Sequence, residues 1–420
     1  MGQPRRPLLR LAWSDPESDA TGFVVVDRLV TGIATGGLRT RAGCTMEEVE
    51  DLAREMSLKT GVYRLPVGGA KGGIDYPADA PDVDEVRRRF VTAMRPLLDT
   101  VWVTAGDLGT PQARLDSVFA EAGLGPSSLR AALLRSTDPD AAVTRVQRLF
   151  AEGDHGLRMP DLIGGYGVAE ASLAGLAGLG LAANESRAVV QGFGAMGGSS
   201  ALYLHLAGVR VVGVSDAFGL IVNTARGLDI PKLLAARSPG GIVDRAVLRA
   251  DDEQRSGESW LDVDAELLVP AAVSYSITET NCDSVRAQLV TEAANVPITK
   301  AAERRLLERD VVVIPDFVAN AGAAAWAWWA VFGLVSDPES SRFLLSSHVR
   351  PLVNSLINAW ITRGVSPRDG AENIAEQNLD NLGERFGRVT ETVPLFEAGL
   401  QSAARVLRPE DRQRPTTTIT

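Results

Sequence analysis

The chain is poor in the residues that build metal sites and disulfides. Among 420 residues there are two cysteines and three histidines. Cys44 and Cys282 lie far apart, and none of these side chains stands at a metal-ligand or redox spacing. The sequence therefore predicts no catalytic metal, and its sparse cysteines fit a reducing cytoplasm.

Long apolar runs and clusters of basic residues are also missing. The most apolar stretch, 321–335, has 15 residues and suits a buried helix better than a membrane span. The basic first residues lead into too few apolar ones for a signal peptide. The net charge is −10, without the clustered lysine and arginine of a nucleic-acid groove. We therefore expect neither a membrane nor a nucleic acid as partner.

What is present is typical of a folded protein with more than one domain. Hydrophobic residues make up 45% and charged residues 23% of the chain. A chain of this length exceeds the size at which one core usually stops growing, so we expect two domains. Strand patterns at 23–29 and 101–104, with helical patterns at 45–64 and 82–99, predict an α/β first domain.

A glycine-framed lysine stands out in this first part. Residues 65–73, LPVGGAKGG, place Lys71 between two glycine pairs. Because glycine lacks a Cβ atom, this pattern predicts a tight, accessible loop that presents one amine. Upstream, Lys59 falls on the apolar face of the predicted helix, where an unpaired ammonium is costly and a bound carboxylate would stabilise it. The alternatives are a Lys59 that snorkels to solvent and a Lys71 that binds phosphate or is merely solvated.

A carboxylate follows the second predicted strand. In residues 105–110, AGDLGT, Asp107 lies between two glycines where a sheet ends, a place suited to proton transfer. An Asx-turn is the alternative explanation. Residues 111–160, rich in alanine and arginine, predict a helical elaboration of the first domain.

A dinucleotide-binding pattern begins at residue 187. A strand at 187–191 is followed by GFGAMG at 192–197, a helix to about 207, a strand at 209–214 and Asp216, 24 residues after Gly192. Gly192 is expected to form the tight turn, Gly194 to admit the pyrophosphate, and Gly197 to allow close packing of helix and strand. Asp216 would bind the ribose hydroxyls. No arginine adjoins it in the sequence, so NAD is favoured over NADP.

Alternating strands and helices continue to about residue 322. Strand patterns at 267–272, 289–293 and 311–314 predict a largely parallel, doubly wound sheet with ligands at its carboxyl edge. The loops at that edge are 270–272, 292–297 and 316–322. Helical patterns follow at 323–334, 341–363 and 395–407, before a polar tail at 408–420. Trp326, Trp328 and Trp329 fit a core cluster.

Several of these segments resemble the glutamate/leucine/phenylalanine/valine dehydrogenases. They are 36–39 (GGLR), 56–59 (MSLK) and 65–73, and the resemblance spans roughly 36–110 and 165–322. It implies NAD-dependent oxidative deamination of an L-amino acid, and a homo-oligomer assembled through the first domain. The implied organisation is a substrate and oligomerisation domain at 1–160 with the helical insertion 111–160, a Rossmann domain at 161–325, and C-terminal helices at 326–407 that pack on the first domain.

The resemblance also implies roles for particular residues. Lys71 would activate water, Asp107 would shuttle the amine proton, and Lys59 would hold the substrate α-carboxylate. Asn295 would lie near the nicotinamide ribose and Asn320 beside the substrate carboxylate, although single asparagines are more often turn residues. The implied substrate set is Lys59, Thr35, Gly36, Gly37, Asn320 and Ala327, and the implied cofactor set is Gly192, Phe193, Gly194, Ala195, Met196, Gly197, Asp216, Ala271, Asn295 and Asn320.

Two positions bear on the substrate. Glutamate-specific members have a lysine where this chain has Thr35 and a serine where it has Ala327. Without these groups the second carboxylate of glutamate would be buried unpaired, so an apolar or aromatic L-amino acid is expected. A third departure is Gly164, where the family has a threonine. The alternatives are glutamate dehydrogenase-like activity, a non-standard amino or imino acid as substrate, or a nucleotide-binding homologue without turnover.

Overall fold

The computed structural model describes residues 6–125, 128–136, 138–387 and 395–403. It divides into two compact units. The first is Met1–Val146 with Val331–Leu334 and Ile374–Thr420, and the second is Gln147–Ala330 with Val335–Asn373. Among the described residues, no helix combines the length and apolar character needed to cross a bilayer.

The first unit is an α/β structure around one mixed sheet. The strand order is β1-β2-β5-β3-β6, with β4 also paired to β5. Strand β5 runs antiparallel to β2 and parallel to β3 and β4. The elements up to residue 151 are β1 (Leu9–Ser14), β2 (Thr21–Val26), β3 (Ala34–Thr35), β4 (Leu38–Thr40), α1 (Met46–Val62), β5 (Gly68–Asp75), α2 (Val83–Ala93), α3 (Arg95–Thr100), β6 (Trp102–Val103), α4 (Gln112–Glu121), α5 (Arg130–Leu133) and α6 (Pro139–Ala151).

The glycine-rich segment that was predicted to be an accessible loop is the central strand β5. Its first seven residues are all buried. A Cβ atom on Gly69 would lie 2.2 Å from the backbone nitrogen of Ser57 in α1, and one on Gly72 would lie 2.4 Å from the indole ring of Trp102. The glycines are therefore required by close packing on both faces of the strand. The loop prediction was wrong because glycine is rare in strands and, lacking a side chain, does not show the alternation of apolar and polar residues that marks a strand.

The second unit contains a seven-stranded sheet of the predicted doubly wound type. The strand order is β12-β11-β10-β9-β13-β14-β15, and the five strands from β10 to β15 along this order are parallel to one another. The remaining elements are β7 (Gly153–Asp154), β8 (Leu157–Arg158), α7 (Met159–Gly178), β9 (Arg187–Gln191), α8 (Ala195–Leu206), β10 (Arg210–Asp216), β11 (Gly219–Val222), α9 (Ile230–Ala235), β12 (Glu253–Arg255), β13 (Leu267–Pro270), β14 (Leu289–Thr291), α10 (Lys300–Leu307), β15 (Val312–Ile314), α11 (Asp316–Ala319), α12 (Gly322–Phe332), α13 (Pro338–Arg363), α14 (Pro367–Phe386) and α15 (Leu395–Ala403).

The compact units depart from the predicted domain bounds. The N-terminal segment of the first unit ends at Val146 rather than at 160, so the predicted helical insertion is divided between the units. Helix α13 lies in the second unit, where it packs on α7 and Arg350 pairs with the buried carboxylate of Glu170; that the C-terminal helices pack on the first domain stays a prediction. Helix α14, which sequence analysis missed, starts in the second unit and continues into the first. The predicted tail at 408–420 lies outside the described residues.

One half-buried arginine and three buried carboxyl side chains form a cluster at the far edge of the second sheet. Arg368, near the start of α14, lies 2.6 Å from Glu292 after β14, 2.6 Å from Glu303 in α10 and 3.7 Å from Asp316 after β15. Asp316 in turn accepts a hydrogen bond from the backbone N–H of Val296, and its own N–H donates to Glu292. One guanidinium thus fixes the two loops that follow β14 and β15.

Three carboxyl groups around one guanidinium favour a retained proton. Burial raises the pKa of Glu292 to about 8, against the attraction of Arg368, and the charges of Asp316 and Glu303 raise it further. Burial likewise raises the pKa of Glu303. Three oxygens of the cluster lack a hydrogen-bond partner among the described residues: Glu292 Oε1, Glu303 Oε1 and Asp316 Oδ1.

Replacing Arg368 should be strongly destabilising. In the variant Arg368→Met, three buried carboxyl groups lose their cation, and breaking a buried pair in this way typically costs about 3–5 kcal/mol. We expect a large drop in the thermal and urea midpoints. The control Arg226→Met removes a half-exposed arginine that pairs with Asp251 and should change the midpoints little. Equal losses in the two variants would contradict the importance of the cluster.

The raised pKa of Glu292 predicts a pH-dependent stability. The folded protein binds this proton more tightly than the unfolded chain, whose glutamate pKa is near 4.5, so the stabilisation is complete below 4.5 and is lost as pH rises through about 8. The melting temperature of Glu292→Gln, relative to the parent, should therefore rise with pH across this window. Glu266→Gln serves as control, because the pKa of Glu266 is lowered by hydrogen bonds from Arg187 that outweigh burial. A flat difference for Glu292→Gln would refute the retained proton.

Candidate functional site

Lys71 and Asp107 meet in the first unit. The Lys71 side chain projects from the middle of β5, is only 8% exposed, and places its Nζ atom 2.8 Å from Asp107 Oδ2. The same oxygen accepts a hydrogen bond of 3.2 Å from Arg39 Nε. Asp107 is held in a turn by reciprocal backbone hydrogen bonds with Thr110. A buried amine therefore faces a fixed carboxylate.

The surroundings shift the pKa values of both groups downward. Burial lowers the pKa of the Lys71 amine, Asp107 opposes this, and the positive charges of Arg39 and Lys59 lower it further. Burial alone would raise the pKa of Asp107, but the charges of Lys71 and Arg39 outweigh it and lower the pKa to about 2. At neutral pH the pair thus consists of a carboxylate and an amine that gives up its proton more readily than a free lysine.

The structure brings Lys59 and the predicted glycine pair to the same place. Lys59 lies in the last turn of α1, half-buried, and close enough to Lys71 for its charge to act there. A Cβ atom on Gly36 would lie 1.6 Å from Ala70 O, and one on Gly37 would lie 3.0 Å from Asp107 Cβ. Both glycines are therefore needed for the backbone to pass beside Lys71 and Asp107.

Thr35 and Arg39 flank these glycines. Thr35 is buried in β3, between β5 and β6. Arg39 forms ion pairs with both Asp107 and Glu48, the latter at 2.8 Å, so two carboxylates already balance its charge. Sequence reasoning gave Arg39 no role, although it ends the GGLR segment.

The glycine-rich turn in the second unit has the geometry that dinucleotide binding requires. Gly192 has a φ of 89°, which favours glycine. A Cβ atom on Gly197 would lie 2.0 Å from Gly192 O, whereas one on Gly194 would meet no described atom within 4 Å. Open space at Gly194, directly before the first residue of α8, fits a pyrophosphate at a helix N-terminus. Phe193 is buried, and Ala195 is exposed.

Met196 explains how the chain accommodates Gly164. A Cβ atom on Gly164, in α7, would lie 2.8 Å from the terminal carbon of Met196, and one on Gly165 would lie 2.0 Å from Ser199 Oγ. Helices α7 and α8 therefore cross too closely for larger residues. The space beside residue 164 is filled by a side chain from the glycine-rich turn.

Asp216 has a partner that the sequence did not reveal. Arg245 Nη1 lies 2.5 Å from Asp216 Oδ2, and Nη2 lies 2.6 Å from Oδ1. The backbone N–H groups of Phe218 and Val243 donate to the same two oxygens. No arginine adjoins Asp216 in the sequence, as stated, but one adjoins it in the structure. Twenty-nine residues separate the pair, and no local pattern links them.

The remaining predicted residues lie in the loops after β13, β14 and β15, except Ala327, which lies in α12. Asn320 is buried at the end of α11, and its amide donates to Ala293 O, Ala294 O and Asn295 Oδ1. Its own Oδ1 accepts no hydrogen bond among the described residues. Ala271 follows β13 and packs near Gly197, and Ala327 is half-buried in α12.

Lys59, Lys71 and Asp107 thus form one cluster in the first unit. The glycine-rich turn, Asp216 and the Asn295–Asn320 pair belong to the second. Within the described ranges, no group of three or more histidine, cysteine, aspartate or glutamate side chains is arranged to hold a metal ion.

The chain is similar in sequence and in fold to known dehydrogenases. The chain is 32% identical over 370 residues to glutamate dehydrogenase B of Halobacterium salinarum, covering 85% of this chain and 81% of that protein. It is 31% identical over 309 residues to an NAD-specific glutamate dehydrogenase of Staphylococcus aureus, covering 74% and 71%. A hetero-hexameric glutamate dehydrogenase from Thermus thermophilus, solved in a leucine-bound form, superposes with a TM-score of 0.70 at 28% identity over 90% of each chain.

Two family models match the chain. The model described as Glu/Leu/Phe/Val dehydrogenase, dimerisation domain, covers residues 11–123, and the model described as Glutamate/Leucine/Phenylalanine/Valine dehydrogenase covers residues 156–383. Together with the relatives above, these matches confirm the resemblance that the lysine and glycine segments indicated. The chain belongs to the Glutamate/Leucine/Phenylalanine/Valine dehydrogenase family of amino acid dehydrogenases.

Proposed function

We propose that this chain catalyses the NAD-dependent, reversible oxidative deamination of an apolar or aromatic L-amino acid to its 2-oxo acid and ammonia. The observation that carries the proposal is the 2.8 Å contact between the buried Lys71 amine and Asp107, beside two further cations. A lysine with a lowered pKa next to an ionised carboxylate is suited to moving protons at neutral pH.

NAD is the cofactor that we infer. The turn formed by Gly192, Gly194 and Gly197, together with the first residues of α8, would hold its pyrophosphate, and Asn295 and Asn320 would bind nearer the nicotinamide. When bound, NAD accepts a hydride from the Cα atom of the amino acid. The relative from Staphylococcus aureus is named NAD-specific, which supports this choice.

The residues of the first unit would handle the protons. Lys59 binds the α-carboxylate of the substrate through charge. Asp107 takes a proton from the substrate ammonium, and because a carboxylate with so low a pKa is a weak base, the proton passes on to the neutral Lys71 amine 2.8 Å away. Lys71 releases this proton to solvent and, neutral again, serves as the base that removes a proton from the water attacking the iminium carbon. Its lowered pKa keeps part of the population neutral.

The preference for an apolar or aromatic side chain rests on Thr35 and Ala327. Neither residue carries a positive charge that could pair with a second carboxylate, and Arg39, four residues after Thr35, is already bound to Glu48 and Asp107. A buried carboxylate without a partner is costly. The relatives named glutamate dehydrogenases favour glutamate as the second candidate.

We also infer a cytoplasmic homo-oligomer. The match of residues 11–123 to a dimerisation domain supports assembly through the first unit. Both cysteines are free and buried, which fits a reducing compartment.

Lys71 should be indispensable for turnover but not for binding NAD. We expect Lys71→Met to lower kcat by about 10²–10⁴-fold, the usual contribution of one acid–base group. Binding of NADH, followed by its fluorescence, should be unchanged. The chain has only four lysines, and Lys300→Met, at an exposed position in α10, is the matched control. Turnover retained by Lys71→Met would overturn the proposed mechanism.

Substrate choice should respond to the two positions that depart from glutamate-specific members. With NAD, the parent should turn over leucine, valine, phenylalanine or tryptophan faster than glutamate, as read by NADH absorbance. Thr35→Lys with Ala327→Ser should raise kcat/KM for glutamate by about tenfold or more, since one ionic hydrogen bond suffices for such a factor.

Thr92→Lys, which adds the same charge at an exposed position of α2, should leave the glutamate rate unchanged. Because Thr35 is buried, the melting temperature of each variant is measured as well, and Ala327→Ser alone keeps the test valid if the double variant does not fold. Glutamate as the best substrate of the parent would refute the preference for apolar side chains.

A further inference from the structure

One loop of the second unit contacts both parts of the proposed dinucleotide site. It runs from Arg237 to Arg245 and is closed by a backbone bridge between Arg237 and Val243. At one end, Arg237 Nη1 donates to Gly194 O at 2.7 Å. At the other end, Arg245 forms its bidentate ion pair with Asp216. The loop therefore holds Arg245 on the side of the sheet where the adenosine of a dinucleotide would bind.

The pair leaves Asp216 without free acceptor sites. A carboxylate has about four lone-pair sites. Here the N–H groups of Phe218 and Val243 and the two nitrogens of Arg245 occupy two sites on each oxygen. A ribose hydroxyl could reach Asp216 only by displacing one of these donors. The usual basis for selecting NAD, a free carboxylate that binds the 2′-hydroxyl, is therefore absent from this arrangement.

The pair also removes the charge that would repel a 2′-phosphate. Asp216 is ionised, because the hydrogen bonds from Arg245, Val243 and Phe218 outweigh its burial and lower its pKa. Its negative charge is balanced by the guanidinium at bonding distance. The Asp216 side chain is 2% exposed, whereas that of Arg245 is 23% exposed. The more accessible member of the pair is thus the cation, the group that binds phosphate well.

We propose that Arg245 is a specificity-determining residue that allows this chain to bind NADP as well as NAD. In its pair with Asp216, Arg245 cancels the repulsion of the 2′-phosphate and offers its exposed edge to the phosphate oxygens. The inference rests on the proposed function of the site as a dinucleotide-binding site. It adds that the acidic residue at the end of β10 does not by itself select NAD.

The test is direct binding to the full-length protein. Dissociation constants of NADH and NADPH are measured by fluorescence, and those of NAD and NADP by calorimetry, without amino acid. We expect the parent to bind the two cofactor types within about tenfold of each other, that is about 1.4 kcal/mol. In Arg245→Gln, NADP binding should weaken about tenfold or more, while NAD binding stays the same or tightens as Asp216 becomes free.

Arg249→Gln is the matched control. Arg249 lies four residues further on, is 24% exposed, and pairs with the buried Asp252 rather than with Asp216. It should leave the ratio of the two dissociation constants unchanged. If Arg245→Gln does not fold, competition of 2′,5′-ADP and 5′-AMP against NADH on the parent protein replaces it. We then expect 2′,5′-ADP to compete at least as well.

The outcomes separate this inference from the proposed function. A parent that binds NAD more than about 100-fold more tightly than NADP would overturn the inference alone. An unchanged ratio in Arg245→Gln, or 5′-AMP competing far better than 2′,5′-ADP, would do the same. A parent that binds neither dinucleotide would overturn both the inference and the proposed function.

Discussion

The burial of the Lys71 ammonium in a strand in which every second residue on average is glycine is the constraint on which the proposed chemistry depends. A cation withdrawn from water needs compensation, and here one carboxylate, Asp107, supplies it while Arg39 and Lys59 oppose it. The balance gives a lysine that is held in place and yet inclined to lose its proton. The glycines of β5 make this possible, because they let α1 and Trp102 close on both faces of the strand around the one long side chain.

The second unit handles buried charge in two other ways. Around Arg368, acids outnumber the cation, so a proton is retained and two loops at the sheet edge are tied together. Around Asp216, one arginine balances the charge of one acid at the place where NAD and NADP would be distinguished. The first arrangement stabilises the loops that carry Asn295 and Asn320. The pair of Asp216 and Arg245 would influence which dinucleotide binds at those loops and the glycine-rich turn.

Much of the fold was predictable from local patterns. The strand at 187–191, the turn at Gly192 and the helix after it follow from glycine spacing and apolar periodicity, and the structure has β9 and α8 close to the predicted bounds. Strand β5 was not predicted, because its glycines serve packing partners distant in sequence. Helix α14 was missed as well, and α13 packs on α7 through contacts that include the pair between Arg350 and Glu170, 180 residues apart.

The same distinction applies to the candidate site. Lys59, Lys71 and Asp107 were found because each lies in a short segment typical of the family. Arg245 and Arg368 were not found, because their partners are 29 and up to 76 residues away in the sequence and no short motif indicates such a contact. Pairings of charge across the fold are decided by tertiary packing, which sequence periodicity does not report.

The most direct test of the account is the titration of the Lys71 amine itself. With four lysines in the chain, isotope-labelled lysine and single Lys→Arg variants allow its resonance to be assigned by NMR and followed with pH. We predict a pKa of Lys71 below the ordinary value of 10.5, and a still lower pKa in Asp107→Asn, because Asp107 is the group that raises it. A Lys71 that titrates at or above 10.5, or is unaffected by Asp107→Asn, would contradict it.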